Sequence, residues 1–200
     1  GRMLLLRPPT PAQVAAFLAR SREQAPSYAE TGWSLNGRAP AWALTGRCRV
    51  RVGQGEACWT RARAALRDGR MFQGWVLRPQ EGVPVPLAEQ GGTVVLLVRH
   101  LGPLGHGRWG LYSLIANRVL YLVDEPARYG FGYGTLPGHL VRGEERFLLE
   151  RDAAGTVWLE LTTFSRAALP FSRFAQPFVQ AAQRRGARHY ARMLVQSAGC

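Results

Sequence analysis

The residues best suited to chemistry lie in a glycine-rich segment that ends at His139. Glycine has no side chain, which allows a bulge or the close approach of a backbone or a ligand. A histidine beside such a segment could act as an acid or a base near neutral pH, and Glu144 and Glu145 follow closely enough to orient it. This pattern predicts the mouth of a ligand pocket, with a tight hairpin turn as the structural alternative. The predicted mouth has four polar residues: Tyr133, Thr135, His139 and Glu144.

The sequence carries no motif for metal, cofactor or covalent chemistry. Its four histidines are far apart, and its three cysteines form no Cys-x-x-Cys pair. It has no Gly-x-Ser-x-Gly elbow and no phosphate-binding Gly-Lys-Ser/Thr sequence. The glycines near Phe131 are followed by no predicted helix, which a dinucleotide fingerprint requires. We therefore predict no metal and no cofactor, and the catalytic residues, if there are any, stay unknown.

The cysteines and the short N-terminal apolar run bear on the compartment. An odd number of cysteines at wide spacing differs from the framework of a disulfide-bonded secreted protein, so we expect Cys48, Cys58 and Cys200 to be free thiols. The apolar run at residues 3–6 is too short for the core of a signal peptide. No stretch approaches the roughly 20 apolar residues of a membrane-spanning helix. These patterns predict a cytoplasmic protein.

Positive charge dominates the composition. The chain has 26 basic residues against 13 acidic ones, a formal net charge of +13, and every basic residue is arginine. A basic protein attracts polyanions, so nucleic acid and acidic membrane surfaces are candidate partners. A GC-rich genome, which encodes arginine in place of lysine, is the alternative source of so many arginines.

Apolar residues at helical spacing predict three helices, over residues 11–24, 56–67 and 177–195. Pro177 is expected in the first turn of the last helix, where proline is tolerated. One side of that helix is rich in arginine, and phosphates would be natural partners for it. A solvated face of a core-packing helix is the alternative. The arginines concerned are Arg184, Arg185, Arg188 and Arg192.

Alternating and apolar segments predict the strands, and residues 28–46 are predicted to be a loop. In the last strand, Trp158 and Glu160 share one face while Val157 and Leu159 share the other. Both faces are substantially apolar, with Glu160 as the exception, as in a strand that lines a cavity or is covered by a loop or a partner. The predicted strands are 47–52, 73–77, 93–99, 109–116, 118–123, 129–135, 144–151 and 156–164.

The order of these elements predicts an α+β protein in which a curved antiparallel sheet of about six to seven strands wraps around a long C-terminal helix. We expect one domain over residues 1–200. Residues 1–40 would form an N-terminal extension of helix and loop, and residues 45–196 the core.

Several motifs resemble the uncharacterised DUF1990 family. They are DEP at 124–126, FGYGTLPGH at 131–139, GEERF at 143–147, VWLE at 157–160 and FSR at 164–166. The resemblance covers most of residues 45–195 and is most specific within 124–166. It implies a helix-grip fold like that of lipid-binding and polyketide-cyclase proteins, in agreement with the element order. It supplies no activity.

Two functions lead at this point, and a protein-interaction domain whose basic surface meets an acidic partner is a third. The leading hypothesis is a small apolar or aromatic ligand held between the sheet and the last helix, with proton transfer on that ligand as an enzymatic variant. The alternative is a polyanion-binding module that uses the arginine-rich surface and loses affinity with added salt. The residues predicted to bind the small ligand are Tyr121, Phe131, Tyr133, Thr135, His139, Glu144, Trp158 and Glu160.

Overall fold

Eight strands, three helices and one 3-10 turn, Trp33–Asn36, form the fold in the computed structural model, which describes residues 3–104, 109–168 and 172–200. The last helix is the longest, with 27 residues. The strands are β1 Met3–Leu5, β2 Leu44–Gln54, β3 Val76–Leu77, β4 Thr93–Leu104, β5 Trp109–Glu125, β6 Arg128–Thr135, β7 Val141–Arg151 and β8 Thr156–Ala167. The helices are α1 Pro11–Arg22, α2 Gly55–Arg67 and α3 Ser172–Ala198.

The described strands form one antiparallel sheet in the order β2-β8-β7-β6-β5-β4-β3. Strands β4 to β8 follow one another as a meander, while β2 pairs with the last strand, β8. The short β1 adds to the first half of β5, on the side opposite β4. This sheet curls around α3, so the predicted α+β fold, with its curved sheet and long C-terminal helix, is confirmed.

The main core lies between the concave face of the sheet and the helices α2 and α3. Apolar residues of α2 point into it, and Tyr190 and Leu194 come from α3. The ring of Tyr190 packs against the rings of Phe72 and Phe147, with both centroid distances at 5.6 Å. Apolar residues recur at every second position of these strands and therefore share the concave face, because successive side chains point to opposite sides of a sheet.

The outer face of the sheet is covered by the N-terminal part of the chain. Val14 and Phe17 of α1 pack there against a second apolar cluster that includes Leu97 and Leu114. Thr10 begins α1 with a capping box, since its side chain accepts a hydrogen bond from Gln13 N while the Gln13 side chain accepts one from Thr10 N. The segment before residue 40 is therefore attached to the core.

Several details of the predicted elements are wrong. Met3–Leu5 forms a strand, and the predicted loop 28–46 contains a 3-10 turn and the first residues of β2. The strands expected over 109–116 and 118–123 are one strand, β5, whose register shifts between Val119 and Tyr121. This register shift lies inside the second predicted strand, and a bulge of this kind inserts a residue without ending the strand. Pro177 lies inside α3 and not in its first turn, because the helix begins at Ser172.

The expectation of three free thiols is also wrong. Cys58 of α2 and Cys200 form a disulfide with their Cα atoms 5.4 Å apart, while Cys48 is free. The two bonded cysteines are 142 residues apart in the chain. Only the packing of α2 beside the end of α3 brings them together, so spacing alone did not reveal the pair.

Removing this cross-link is expected to lower the free energy of unfolding by about 5 kcal/mol. The disulfide closes a loop of 142 residues, and in the chain-entropy view a long loop restricts the unfolded state strongly. Urea unfolding of Cys200→Ser measures the effect, with Cys48→Ser as the matched control. Equal stabilities of these two variants under oxidising conditions would contradict the expectation.

No helix among the described residues combines the length and the apolar character needed to cross a membrane.

Candidate functional site

A cavity of about 280 Å³ lies between the concave face of the sheet and α3. Most of its wall is apolar: Val98 and Ile115 come from β4 and β5, and Trp75 precedes β3. On the helical side the small residues Ala182, Gly186 and Ala187 leave space above the sheet, beside Gln183 and Tyr190. Gly186 packs beside the Trp75 ring, where an added Cβ would lie 3.7 Å from the ring.

A cluster of three polar side chains lies in this cavity. The register of β6 and β7 places Tyr133 opposite Glu145, and Tyr190 of α3 adds a third group. The Tyr133 hydroxyl donates to Glu145 Oε2 at 3.5 Å and is also hydrogen bonded to the Tyr190 hydroxyl. Burial raises the pKa of Glu145 from 4.5 to about 8, and the hydrogen bond from Tyr133 offsets part of that rise. At neutral pH the carboxyl group is therefore mostly protonated, so it can donate as well as accept a hydrogen bond.

His139 and Leu140 line the cavity where β6 connects to β7. The Nδ1 atom of His139 accepts a hydrogen bond from the backbone N–H of Val141 at 3.1 Å, which assigns the proton of the neutral ring to Nε2. Burial lowers the pKa of His139 from 6.5 to about 4. The imidazole is therefore neutral at physiological pH.

Thr135 connects three parts of the chain beside the cavity. Its Oγ1 atom accepts a hydrogen bond from the N–H of Gly143 at 3.1 Å and lies 2.7 Å from the Ser27 hydroxyl. Gly143 has a φ of +154°, and a Cβ there would collide with the carbonyl oxygen of Phe164 in the next strand. Glycine at this position thus allows β7 and β8 to approach.

Glu144 contributes to the cavity wall, but its carboxylate is turned to the outer face of the sheet. There it accepts hydrogen bonds from the Tyr28 hydroxyl at 2.7 Å and from the backbone N–H groups of Gly32 and Ser34 at 2.8 and 3.0 Å. The Ser34 hydroxyl is a fourth donor. Because adjacent strand residues face opposite ways, Glu144 holds the N-terminal segment while Glu145 enters the cavity.

Gly132 and Gly134, in the glycine-rich segment of β6, make room for side chains of the protein itself. The ring of Tyr121 lies over Gly132, and the hydroxyl of Tyr28 lies over Gly134. A Cβ at either position would overlap these groups. The Tyr121 hydroxyl also bonds to the Ser34 hydroxyl at 2.6 Å, so the glycines support packing on the outer face.

Of the eight residues predicted to bind the small ligand, the cavity wall brings together Tyr133, Thr135, His139 and Glu144. The other four lie elsewhere: Tyr121 is on the outer face, and Phe131 is in the core, stacked on Phe147 at 5.0 Å. Trp158 donates to the Asp152 carboxylate at 3.1 Å. Glu160 forms ion pairs with Arg47 and Arg146, at 2.5 and 2.9 Å.

Glu145 and Tyr190 are two polar cavity residues that sequence reasoning did not select. A signal for Glu145 was present, because alternation places it on the same face of β7 as Phe147 and Leu149, which are buried. Tyr190 belongs to the apolar stripe of α3, and nothing in the sequence separates its role from ordinary core packing.

The four arginines predicted for polyanion binding lie in different surroundings along α3. Arg184 and Arg188 line a second depression beside β2, described below. Arg185 lies over the ring of Trp75, with its Cζ atom 6.0 Å from the ring centroid. Arg192 is exposed.

A curled antiparallel sheet that closes around a long C-terminal helix over a cavity is the helix-grip class of protein. Residues 27–193 match the family described as "Domain of unknown function (DUF1990)", and the chain belongs to that family, as the motifs predicted.

Known relatives agree with this assignment. A UPF0548 protein from Deinococcus radiodurans is 80% identical over 198 residues, which is 99% of this chain and 100% of that protein. A UPF0548 protein from Arabidopsis thaliana is 34% identical over 154 residues, covering 73% of this chain and 69% of the relative. A crystal structure of a hypothetical protein from Helicobacter pylori superimposes with a TM-score of 0.51 at 12% identity, over 78% of this chain and 87% of that one, a likeness of fold alone.

Proposed function

We propose that this protein binds a small apolar or aromatic ligand in the cavity between the sheet and α3. The observation that carries the proposal is a cavity of about 280 Å³ with mostly apolar walls and one polar cluster. Ligand sites typically combine these two features, because apolar walls supply affinity and a few polar groups select orientation.

The polar cluster favours a ligand part that is uncharged. Glu145, with a pKa of about 8, is mostly neutral at physiological pH, and burial keeps the pKa of Tyr133 and Tyr190 well above the usual value. A protonated carboxyl and two hydroxyls are suited to a carbonyl or hydroxyl group. Proton transfer on the bound ligand by Glu145 or His139 is the enzymatic variant of this proposal.

Introducing a bulky side chain at the cavity wall is expected to weaken ligand binding at least about tenfold. The probe is N-phenylnaphthylamine, a neutral aromatic dye whose fluorescence rises in apolar surroundings. Ala182→Trp adds an indole at a position that lines the cavity, which removes volume and costs at least about 1.4 kcal/mol of binding free energy.

Ala181→Trp is the matched control, since Ala181 is the exposed neighbour that is not part of the cavity wall. Thermal unfolding checks that both variants are folded. Dye binding that is absent from the wild type, or equal in both tryptophan variants, would count against the proposal.

Polyanion binding is the second candidate function. Its support is the net charge of +13 and the exposure of Arg184, Arg188 and Arg192, spaced by four residues along α3.

A further inference from the structure

A second depression, of about 290 Å³, lies between the edge strand β2 and α3. We call it the arginine groove. Arg47 of β2 lines one side, and Arg184 and Arg188 of α3 line the other. The two helical arginines are four residues apart, which places them on the same face of the helix.

The charges of Arg184 and Arg188 are not neutralised within the described part of the chain. No aspartate or glutamate there lies within ion-pair distance of either guanidinium. Arg47 differs, since its guanidinium is bonded to Glu160 at 2.5 Å. Among the residues that the structure describes, the groove therefore holds two exposed cations that have no acidic partner, next to a third that is paired with Glu160.

The arginine groove and the cavity share part of their walls. Thr163 of β8 and Gln183 and Ala187 of α3 line both spaces. The two volumes thus adjoin along α3, and a molecule that occupied both would pass beside these three residues.

The two spaces suit opposite ends of such a molecule. The cavity disfavours an anion, as its apolar wall and the predominantly neutral Glu145 indicate. Guanidinium groups bind carboxylate, sulfonate and phosphate through paired, charge-assisted hydrogen bonds. The amide of Gln180 and the hydroxyl of Thr45 also line the groove and can supply neutral donors.

We infer that the ligand of this protein is an amphipathic anion, with its apolar body in the cavity and its carboxylate, sulfonate or phosphate group on Arg184 and Arg188. This inference rests on the proposed function and names the chemical class of the ligand.

A pair of dyes that differ in one group tests it. Anilinonaphthalene sulfonate carries the same aromatic body as N-phenylnaphthylamine plus one sulfonate. We expect the wild type to bind the sulfonate dye more tightly than the neutral dye. The double variant Arg184→Gln/Arg188→Gln should weaken binding of the sulfonate dye about tenfold and leave the Kd of the neutral dye unchanged.

The double variant Arg185→Gln/Arg192→Gln is the matched control. It removes the same charge from the same helix at residues that do not line the groove. An equal loss of sulfonate affinity in both double variants would trace that affinity to overall charge and overturn the inference.

Two further outcomes separate this inference from the proposed function. If the wild type binds both dyes with the same Kd, the groove does not recognise an anion, and the inference fails while the cavity proposal stands. If the neutral dye does not bind, the cavity proposal fails and takes the inference with it.

Discussion

Replacing Glu144 by alanine is expected to lower the free energy of unfolding by about 4–5 kcal/mol, a loss at the upper end for a single substitution. The buried carboxylate accepts hydrogen bonds from the Tyr28 hydroxyl, the N–H groups of Gly32 and Ser34, and the Ser34 hydroxyl. Each hydrogen bond to a charged group contributes about 1.5–3 kcal/mol, and the contributions within one cluster are not additive. Without the carboxylate these donors are left without their acceptor, and the N-terminal segment loses its attachment to β7.

Two further variants are expected to lose less stability than Glu144→Ala, and urea unfolding measures the loss in all three. Glu144→Gln keeps the shape and one accepting oxygen but places an amide donor among donors, so we expect a loss of about 2–3 kcal/mol. Glu125→Ala removes an exposed carboxylate that lies 3.5 Å from Arg128, and we expect less than about 1 kcal/mol. A loss in Glu144→Ala as small as that in Glu125→Ala would show that the hydrogen bonds to Glu144 do not hold the segment.

The contribution of Glu145 to the free energy of unfolding is expected to decrease as the pH rises from 4.5 to about 8. The pKa of this carboxyl group is raised by burial from 4.5 to about 8 in the folded protein. Between these values the folded protein binds more protons than the unfolded chain, so the free energy of unfolding falls with rising pH. The contribution is complete below 4.5 and is lost as the pH passes through about 8. Since one pKa unit corresponds to about 1.4 kcal/mol, the full loss is on the order of 5 kcal/mol.

His139 and His100 change the free energy of unfolding in the opposite direction, at lower pH. Burial lowers the pKa of His139 from 6.5 to about 4, and it also lowers the pKa of His100. Between these two values for His139 the unfolded chain binds more protons, so stability from this group rises with pH. Above pH 6.5 the contribution of His139 to the free energy of unfolding is constant. From there on it no longer offsets the fall in stability that comes from Glu145.

Chemical unfolding at a series of pH values, with wild type and Glu145→Gln compared at each, isolates this contribution. The stability of Glu145→Gln relative to the wild type should improve as the pH rises from 4.5 to about 8, because glutamine does not ionise. His139→Gln is the control and should alter only the low-pH side of the profile. A difference between wild type and Glu145→Gln that stays constant across this interval would contradict the raised pKa.

The chemistry of the site was only partly readable from the sequence, and Glu144 and Glu145 illustrate why. Alternation along β7 assigns the two residues to opposite faces, and the buried apolar positions Phe147 and Leu149 mark the face of Glu145 as the inner one. The partner of Glu144 cannot be deduced in the same way. Ser34 lies 110 residues earlier, in a segment with no periodicity of its own.

What the sequence by itself determined is the local periodicity and the family. Apolar spacing identified the three helices and the principal strands, and the motifs within 124–166 identified the family. These properties depend on residues that are close together in the chain, where backbone geometry dictates which side chains share a face.

Only the tertiary structure decided which distant groups meet. It joined Cys58 to Cys200, brought Tyr190 against the cavity pair Tyr133 and Glu145, and set Arg184 beside β2. The curvature of the sheet and the small residues of α3 together determine the cavity between them. Contacts of this kind depend on how whole elements pack, and no pattern among neighbouring residues encodes them.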